Sequence, residues 1–321
     1  MRRRDFLTLA GAATASPFAA CARQSKSIPR IGLLYAQARS ADVDEFLAGL
    51  RDLGWVEGES VHVEYRSAEG DDDRLPALAA ELVGMNVEVL VTASSGVFAA
   101  RRATATIPIV VAASPDIVAL GFAVSLAAPS GNVTGQTFFL PQLIAKRLEI
   151  LKAIAPSLTR AGVVVYRSSG ANPDVMRAVS AAAEALAVEL RWIELGGVGE
   201  FEGAFSPTPS DPIGGFVSTD HTLFLFNADT ISTIAKKRGL PWIGAPITAI
   251  HGSLMGYGVD FTQMWRHTAV FVDKILRGAK PGNLPIEQAT KFKTIVNLKT
   301  ARTIGLDIPP TVLASADEVI E

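Results

Sequence analysis

The sequence contains one cysteine, Cys21, and only four histidines in 321 residues. A single cysteine cannot form an intramolecular disulfide, so an oxidising compartment would not stabilise the fold by that route. The histidines are His62, His221, His251 and His267, and no two of them stand at a metal-ligand spacing. We therefore expect neither a disulfide scaffold nor a histidine-held metal, and no cofactor.

Several motifs of catalysis and nucleotide binding are also missing. The sequence has no Gly-x-Gly-x-x-Gly fingerprint, no Walker sequence and no Gly-x-Ser-x-Gly elbow. A secreted α/β enzyme would need a nucleophile with its base, paired catalytic carboxylates or a metal cluster. Dinucleotide binding, nucleoside triphosphate binding and serine hydrolysis therefore have no sequence support, and we predict a protein that is not an enzyme.

Charge and hydropathy narrow the class of protein further. A net charge of −2 argues against nucleic acid as a partner. Apolar residues make up 49% of the chain, which is enough to fill well-packed interiors, and 321 residues favour two lobes. Beyond the N-terminus no run of about 20 apolar residues occurs, so the sequence predicts no other membrane span.

The N-terminus has the features of an export signal. Three arginines, Arg2 to Arg4, precede an apolar segment, Phe6 to Ala20, that is too short to span a bilayer comfortably. The order Arg3-Arg4-Asp5-Phe6-Leu7 resembles a twin-arginine signal, and an ordinary Sec signal is the alternative. We expect residues 1–27 to be a signal peptide and linker, and the protein to reach the periplasm.

Cys21 stands where this signal would be processed. Phe18-Ala19-Ala20-Cys21 resembles a lipobox, although Phe18 replaces the usual leucine. The segment Ala20-Cys21-Ala22 equally fits the small-x-small pattern of ordinary cleavage. Cys21 is therefore a candidate for lipidation, with removal as the alternative.

The stretch from Val87 to Ala103 gives the clearest local prediction. Its apolar run stops at Ser94 and Ser95 and continues as an alanine-rich segment, which predicts a buried parallel strand that leads directly into a helix. At a helix start the first N–H groups lack partners and the macrodipole is positive, so a carboxylate or phosphate can bind there. The simpler alternative is that one serine only caps the helix.

Strands and helices alternate on either side of this stretch. We predict strands at 30–35, 61–66 and 107–112, and helices at 42–53 and 75–83. The first helix has Val43, Phe46, Leu47 and Leu50 on one stripe. This alternation predicts an open parallel sheet that is covered on both faces.

In such sheets ligands bind at the carboxyl ends of strands. Three polar loops belong to that edge: Tyr35 to Ser40, Ser94-Ser95, and Ser114-Pro115-Asp116. They are polar but lightly charged, which suits a small zwitterion better than a polyphosphate.

The same alternation restarts in the second half. We predict helices at 144–154, 174–186 and 263–276, and strands at 161–166, 190–195 and 242–245. Asp220 follows another strand, where a carboxylate facing a cleft can hold an ammonium group, although an aspartate before a helix is often an N-cap. His221 beside it is either a solvent-facing loop residue or part of a more polar pocket.

Several separate motifs resemble one family. They are Asn132-Val133-Thr134-Gly135, Lys146 to Lys152, Thr290-Lys291-Phe292, and Val296 to Ala301. Together they resemble the periplasmic substrate-binding proteins of ABC transporters, in the group that includes tryptophan- and phenylalanine-binding members. The resemblance covers the chain from about Ile28 to Glu321.

The resemblance implies a type I periplasmic binding protein fold: α/β, with two Rossmann-like lobes, each a parallel sheet flanked by helices, joined by a three-segment hinge. It implies an N-terminal lobe of residues 28–137 plus 258–285 and a C-terminal lobe of 138–257 plus 286–321. The implied crossovers include Leu254 to Gly258 and a third strand, Phe292 to Leu298.

The implied function is capture of a small molecule, an amino acid and in particular an aromatic or branched one, by hinge closure for an ABC permease in the inner membrane. In the resembled family an aspartate in the Asp220 loop contacts the ligand's amino group. We expect the protein to be a monomer. The alternative function is that of a ligand-sensing partner of a membrane receptor. The candidate ligand-binding residues are Tyr35, Ser94, Ser95, Ser114, Asp116, Thr137, Phe138, Tyr166, Asn172, Asp220 and Tyr257.

One segment departs from the family. Between Glu200 and Phe216 the chain is short and rich in proline, so we expect a truncated helix there. We expect the tail from Pro309 to pack on a lobe surface.

Overall fold

A computed structural model describes residues 28–37, 41–167, 173–205 and 212–321. The elements of the first part are β1 (Arg30–Tyr35), α1 (Ala41–Asp52), β2 (His62–Ser67), α2 (Leu75–Gly84), β3 (Val89–Thr92), α3 (Gly96–Ala103), β4 (Ile109–Val111) and β5 (Val133–Thr137). The middle part contains α4 (Leu140–Ile154), β6 (Arg160–Tyr166), α5 (Pro173–Ala185), β7 (Glu189–Leu195), α6 (Phe201–Ala204), β8 (Phe216–Ser218), α7 (Thr222–Phe226), α8 (Ala228–Lys237), β9 (Trp242–Gly244), α9 (Pro246–Ile250) and β10 (Met255–Val259). The last part contains α10 (Phe261–Leu276), β11 (Glu287–Gln288), β12 (Phe292–Asn297), α11 (Leu298–Ile304), α12 (Pro310–Ala314) and β13 (Glu318–Ile320).

The first sheet has six strands in the order β11-β5-β4-β3-β1-β2, and all of its pairs are parallel. Every residue of β3 and β4 is buried. This burial explains the continuous apolar runs in the sequence, because both faces of a parallel sheet are covered by helices. The predicted buried strand before Ser94 is confirmed.

Helices cover both faces of the first sheet. Helices α1 and α10 pack against one face, around Phe46 and Trp265, and α2 and α3 pack against the other, around Leu82 and Val97. The predicted apolar stripe of α1 is confirmed, since Val43, Phe46 and Leu50 are buried and Leu47 is partly buried.

The second sheet has seven strands in the order β13-β12-β10-β9-β8-β6-β7. Its pairs are parallel except for β10 with β12, which are antiparallel. Helices α4 and α5 cover one face around Leu148 and Val179, and α6 to α8 cover the other around Phe216 and Trp242. The predicted α/β architecture with two mostly parallel sheets is confirmed.

The chain passes between the two sheets three times. The links are residues 138–139 after β5, residue 260 after β10, and residues 289–291 after β11. The predicted crossover at 254–258 was wrong, because 255–259 form β10 inside the second sheet. The glycines there permit close packing: a Cβ at Gly256 would lie 2.6 Å from the Ala245 carbonyl oxygen. Likewise β12 lies within the second sheet and is not itself a crossing strand.

Strand pairing assigns some residues near the predicted lobe boundaries to the other sheet. Residues 258–259 pair in the second sheet and residues 287–288 pair in the first, each opposite to the predicted lobe. The lobe boundaries themselves stay a prediction.

Two features of the second half concern the expected departures. Helix α6 has only four residues, in agreement with the predicted truncation, and residues 206–211 lie outside the described part. The C-terminal tail does more than cover a surface, because β13 adds a parallel edge strand to β12 and Val312 is buried in the core.

Candidate functional site

Both sheets place polar residues where their strand order reverses. In the first sheet β1 lies beside β3, so Tyr35 at the end of β1 lies near Ser94 and Ser95, which follow β3. In the second sheet β6 lies beside β8, so Tyr166 at the end of β6 lies near Asp220, which follows β8. In open α/β sheets ligands bind at such switch points, outside the carboxyl ends of the strands.

Ser94 and Ser95 form a sharp turn between β3 and α3. Ser94 has a φ of 47°, in the left-handed region that non-glycine residues rarely adopt, and its N–H donates to the Ala113 carbonyl oxygen at 3.0 Å. Ser95 occupies the N-cap position, but its side chain makes no capping hydrogen bond. Within the described residues its buried hydroxyl has no hydrogen-bond partner. This hydroxyl lies at the positive end of α3 and within reach of the Asp72 carboxyl, so a bound carboxylate would compete with Asp72 for its proton.

Helix α3 can begin here because Gly96 has no side chain. A Cβ at this position would lie 2.2 Å from the Thr92 hydroxyl oxygen and 3.6 Å from the Leu34 carbonyl oxygen. The helix start therefore packs directly against the ends of β1 and β3.

Asp72, on the segment after β2, lies near Ser95. Partial burial raises the pKa of its carboxyl above the usual value, and the hydrogen bond that the nearby Ser95 hydroxyl can donate to it acts in the opposite direction. Asp71 and Asp73 raise this pKa further by charge repulsion. A ligand carboxylate would therefore meet a nearby acid whose ionisation is disfavoured.

Asp220 and Arg147 form a buried ion pair at the end of β8. The Arg147 Nη1 atom lies 2.6 Å from Asp220 Oδ1, and the two side chains are 0% and 2% exposed. Arg147 Nε donates to the Tyr257 carbonyl oxygen and Nη1 donates to the Ser218 carbonyl oxygen, each at 2.7 Å. The guanidinium therefore connects α4 with the end of β8 and with the middle of β10.

This pair is not saturated with hydrogen bonds. In the part of the chain that the structure describes, Arg147 Nη2 and both Asp220 carboxylate oxygens lack a partner with hydrogen-bond geometry. Buried polar atoms are nearly always hydrogen-bonded, so each exception needs an explanation, and a further bound group is one such explanation. Asp220 can accept hydrogen bonds from an ammonium group.

His221 forms an aromatic surface beside Asp220. Its ring stacks on Tyr166, with centroids 3.8 Å apart and planes 10° from parallel. Burial lowers the pKa of His221 to about 4, so the ring is neutral at physiological pH. The Leu223 N–H donates to Nδ1 at 3.1 Å, which leaves the proton on Nε2. Packing on Tyr166 and partial burial make the solvent-facing interpretation wrong.

Four other candidates lie around the first crossing. The Thr137 hydroxyl donates to the Ser114 carbonyl oxygen and accepts from the Ile117 N–H. Asp116 Oδ1 accepts from the Ala119 N–H. Phe138 is buried against Phe261 in an edge-to-face contact. These side chains hold the crossing in place, and their main hydrogen-bonding groups are already used.

The two remaining tyrosines differ in their surroundings. Tyr35 is 8% exposed, packs edge-on against Trp265 and donates to Asp42 at 3.3 Å. Tyr257 stacks on Phe292 and is partly exposed. Asn172 and Cys21 lie outside the described residues, as does the segment 1–27.

Arg147 is a functional candidate that the sequence did not lead us to name. It lies on the buried stripe of α4 between Leu143 and Leu151, at a spacing of four residues from each. A cation in the middle of an apolar stripe needs a buried partner, and that signal was present in the sequence.

Among the described residues no group of three or more His, Cys, Asp or Glu side chains could hold a metal ion. Within the same residues no helix has both the length and the apolar character needed to cross a bilayer.

Two α/β units linked by three segments, with polar groups at the switch point of each sheet, define the type I periplasmic binding protein fold. The chain belongs to the ABC transporter substrate-binding protein family, whose model matches residues 31–320. The family consists of proteins that bind small molecules outside the cytoplasm for delivery to a permease.

Three other proteins are similar to this chain in sequence or in fold. The tyrosine-binding protein of Clostridioides difficile is 24% identical over 264 residues, which are 81% of this chain and 75% of that protein. A conserved domain protein from Vibrio cholerae superimposes with a TM-score of 0.83 at 24% identity and covers 91% of this chain and 99% of its own. The ABC domain from Streptococcus pneumonia, solved in complex with L-Trp, superimposes with a TM-score of 0.81 at 21% identity. The match covers 92% of this chain and 100% of that domain.

Proposed function

We propose that the protein captures a free amino acid, aromatic or branched, in a cleft between the two sheets and delivers it to an ABC permease in the inner membrane. The observation that carries this proposal is the buried Asp220 carboxylate at a switch point, with two oxygens that lack hydrogen-bond donors among the described residues. The relatives that bind tyrosine and L-Trp support the choice of an amino acid with a large side chain.

In this proposal each sheet with its helices forms one lobe. The hinge consists of residues 138–139, 260 and 289–291, which are the three links between the sheets. A ligand that contacts both lobes shifts the population toward the closed form. No bond in the ligand is made or broken.

The ligand would be held at its two charged ends. Ser95 and the start of α3 would bind the α-carboxylate, because the Ser95 hydroxyl can donate to an anion there and the helix dipole favours a negative charge. Asp220 would accept hydrogen bonds from the α-ammonium group. The Tyr166 and His221 stack, with Tyr35, Phe138 and Tyr257, would supply the apolar and aromatic walls.

We further propose that the mature protein is a periplasmic monomer. The basic and apolar N-terminus supports export, by the twin-arginine route if the Arg3-Arg4 pair is read, and Cys21 would be either lipidated or removed.

The direct test is a binding screen on protein that lacks residues 1–27. Thermal shift and calorimetry with the common amino acids and with deaminated aromatic acids would identify ligands, since a compound that binds only the folded state raises the melting temperature. We expect an aromatic or branched amino acid to bind, and we expect its deaminated acid to bind more weakly.

Asp220→Asn checks the amine site at nearly constant shape. We expect it to reduce amino acid affinity by about 10- to 100-fold, since a charge-assisted hydrogen bond contributes about 1.5–3 kcal/mol. Asp116→Asn is the matched control, because Asp116 already serves a local turn. Unchanged affinity in Asp220→Asn would make an amine-free ligand the better interpretation.

A further inference from the structure

Arg147 contacts Asp220 directly but has no role in the ligand site proposed above. We propose that Arg147 is the positioning residue of the amine site: it fixes the Asp220 carboxylate at the end of β8 and supplies its counter-charge before the ligand arrives. The inference rests on the proposed function, because it assigns Arg147 a part in recognising the ligand's ammonium group.

The burial of Arg147 is the first observation behind this inference. The side chain is 0% exposed and lies on the apolar stripe of α4. Moving a cation out of water costs several kcal/mol unless it is paired and hydrogen-bonded. A leucine or methionine would fill this position if it served only to pack α4, so packing alone does not explain a buried arginine here.

The geometry around the guanidinium is the second observation. Nε binds the Tyr257 carbonyl oxygen and Nη1 binds the Ser218 carbonyl oxygen, so the fork is anchored to the backbone of β10 and β8. Ser218 precedes Asp220 by two residues. The carboxylate therefore lies against a cation whose own position is fixed by two strands, which limits how far it can turn.

Gly258 provides the space that this arrangement requires. A Cβ at this position would lie 2.8 Å from Arg147 Nη2 and 3.9 Å from Asp220 Oδ2. The absence of a side chain next to both groups lets the guanidinium reach the end of β8.

The unused hydrogen-bonding capacity completes the argument. Arg147 Nη2 and both Asp220 oxygens have no hydrogen-bond partner within the described ranges. Arg147 Nη1 thus lies 2.6 Å from Oδ1 and neutralises the charge of Asp220, but no N–H of the guanidinium is aligned to donate to either carboxylate oxygen. An ammonium group can donate to these oxygens, and recognition then depends on hydrogen-bond geometry as well as on charge.

The experiment compares ligands that differ only in the amine. L-tryptophan, L-tyrosine and L-phenylalanine are each titrated beside the corresponding deaminated 3-arylpropionate, with wild type, Arg147→Met and Arg147→Lys. We expect Arg147→Met to weaken the amino acid by about 10- to 100-fold and the deaminated acid by less than about threefold. Arg147→Lys keeps the cation and loses the fork, so it should recover part of the affinity for the amino acid.

Two further variants separate positioning from general destabilisation. Leu148→Ala removes a buried neighbour on α4 that belongs to the apolar core cluster of the second sheet, so it should lower the melting temperature and leave the affinity ratio of the two ligands unchanged. In an Asp220→Asn background, Arg147→Met should cause no further loss of amine selectivity, because a residue that acts through another is non-additive with it. The double variant also removes the uncompensated charge if Arg147→Met alone fails to fold.

The outcomes distinguish the two proposals. Wild type that binds neither these three amino acids nor a branched one would overturn the proposed function and this inference with it. Wild type that binds them, combined with equal loss of both ligand types in Arg147→Met or with additive losses in the double variant, would overturn only the role of Arg147.

Discussion

Ser95 carries a buried hydroxyl that has no hydrogen-bond partner among the described residues, at the start of α3. We predict that Ser95→Ala lowers ligand affinity by about 3- to 10-fold, because it removes a donor to the α-carboxylate. In the free protein the change should alter stability by less than about 1 kcal/mol, since the hydroxyl has no partner in good hydrogen-bond geometry and only its interaction with Asp72 is lost. Calorimetric titration and thermal unfolding measure the two effects.

Thr92→Val is the matched control for Ser95→Ala. The Thr92 hydroxyl is also buried and without a partner in the described chain, but it lies against the backbone of Gly96, between β3 and the start of α3. We expect no change in affinity for this variant. Equal loss of affinity in both variants would argue against a carboxylate site at Ser95.

His221 gives a prediction about pH. Burial lowers its pKa from 6.5 to about 4, so between these values the unfolded chain binds more protons than the folded one. Stability should therefore decline as pH falls from 6.5 toward 4, by on the order of 1–2 kcal/mol. Urea unfolding at pH 7 and pH 4.5 would measure this decline.

His221→Asn isolates this contribution. Asparagine can still cap α7 through its side-chain oxygen but does not titrate. We expect the variant to lose less stability than wild type over the same pH interval. An identical decline in both proteins would assign the effect to other groups.

At the scale of whole elements, the packing of α4 against β10 depends on Gly258. We predict that Gly258→Ala lowers stability by about 1–3 kcal/mol and weakens amino acid binding, because its Cβ would lie 2.8 Å from Arg147 Nη2 and force the guanidinium to move. Gly84→Ala in α2 is the control, since a Cβ there meets nothing within 4 Å. Unfolding and titration of both variants would check this, and normal binding by Gly258→Ala would contradict it.

The elements that could be predicted from sequence are those with a regular apolar period. Strand β3 has a continuous apolar run because both of its faces are buried, and helix α1 has an apolar stripe because only one of its faces is buried. The location of Ser94, Ser95 and Asp220 at the carboxyl ends of strands also followed from the alternation of strands and helices, whereas their place at the switch points required the strand order.

The remaining features depend on contacts between distant parts of the chain. The glycines of β10 suggested a crossover, but Gly256 and Gly258 are there to admit Pro246 and Arg147. The antiparallel pairing of β12 with β10 and the edge strand β13 have no local signature that distinguishes them from crossing or surface segments. The Arg147 and Asp220 pair joins two residues from different elements, so spacing alone could not reveal it.

At the scale of the whole molecule, three short links connect the two sheets, and the first is held tightly. The Phe138 N–H donates to the Ser114 carbonyl oxygen at 3.1 Å, and the Asp116 N–H donates to the Phe138 carbonyl oxygen at 3.2 Å. These bonds fix the link to the first sheet on one side. We therefore expect closure to rotate the second sheet as a rigid body, with backbone changes confined to the linking residues.

The most direct test of ligand capture between the sheets is a distance measurement across them. Spin labels can be attached at Arg102→Cys and Ser180→Cys, which are both exposed. Arg102 lies in α3 on the first sheet, and Ser180 lies in α5 on the second sheet. Pulsed electron paramagnetic resonance on protein without residues 1–27 should show that an amino acid which raises the melting temperature also shortens and narrows the distance distribution, and that Asp220→Asn needs at least tenfold more ligand to do so. An unchanged distance with saturating ligand, or closure of Asp220→Asn at the wild-type concentration, would contradict the account.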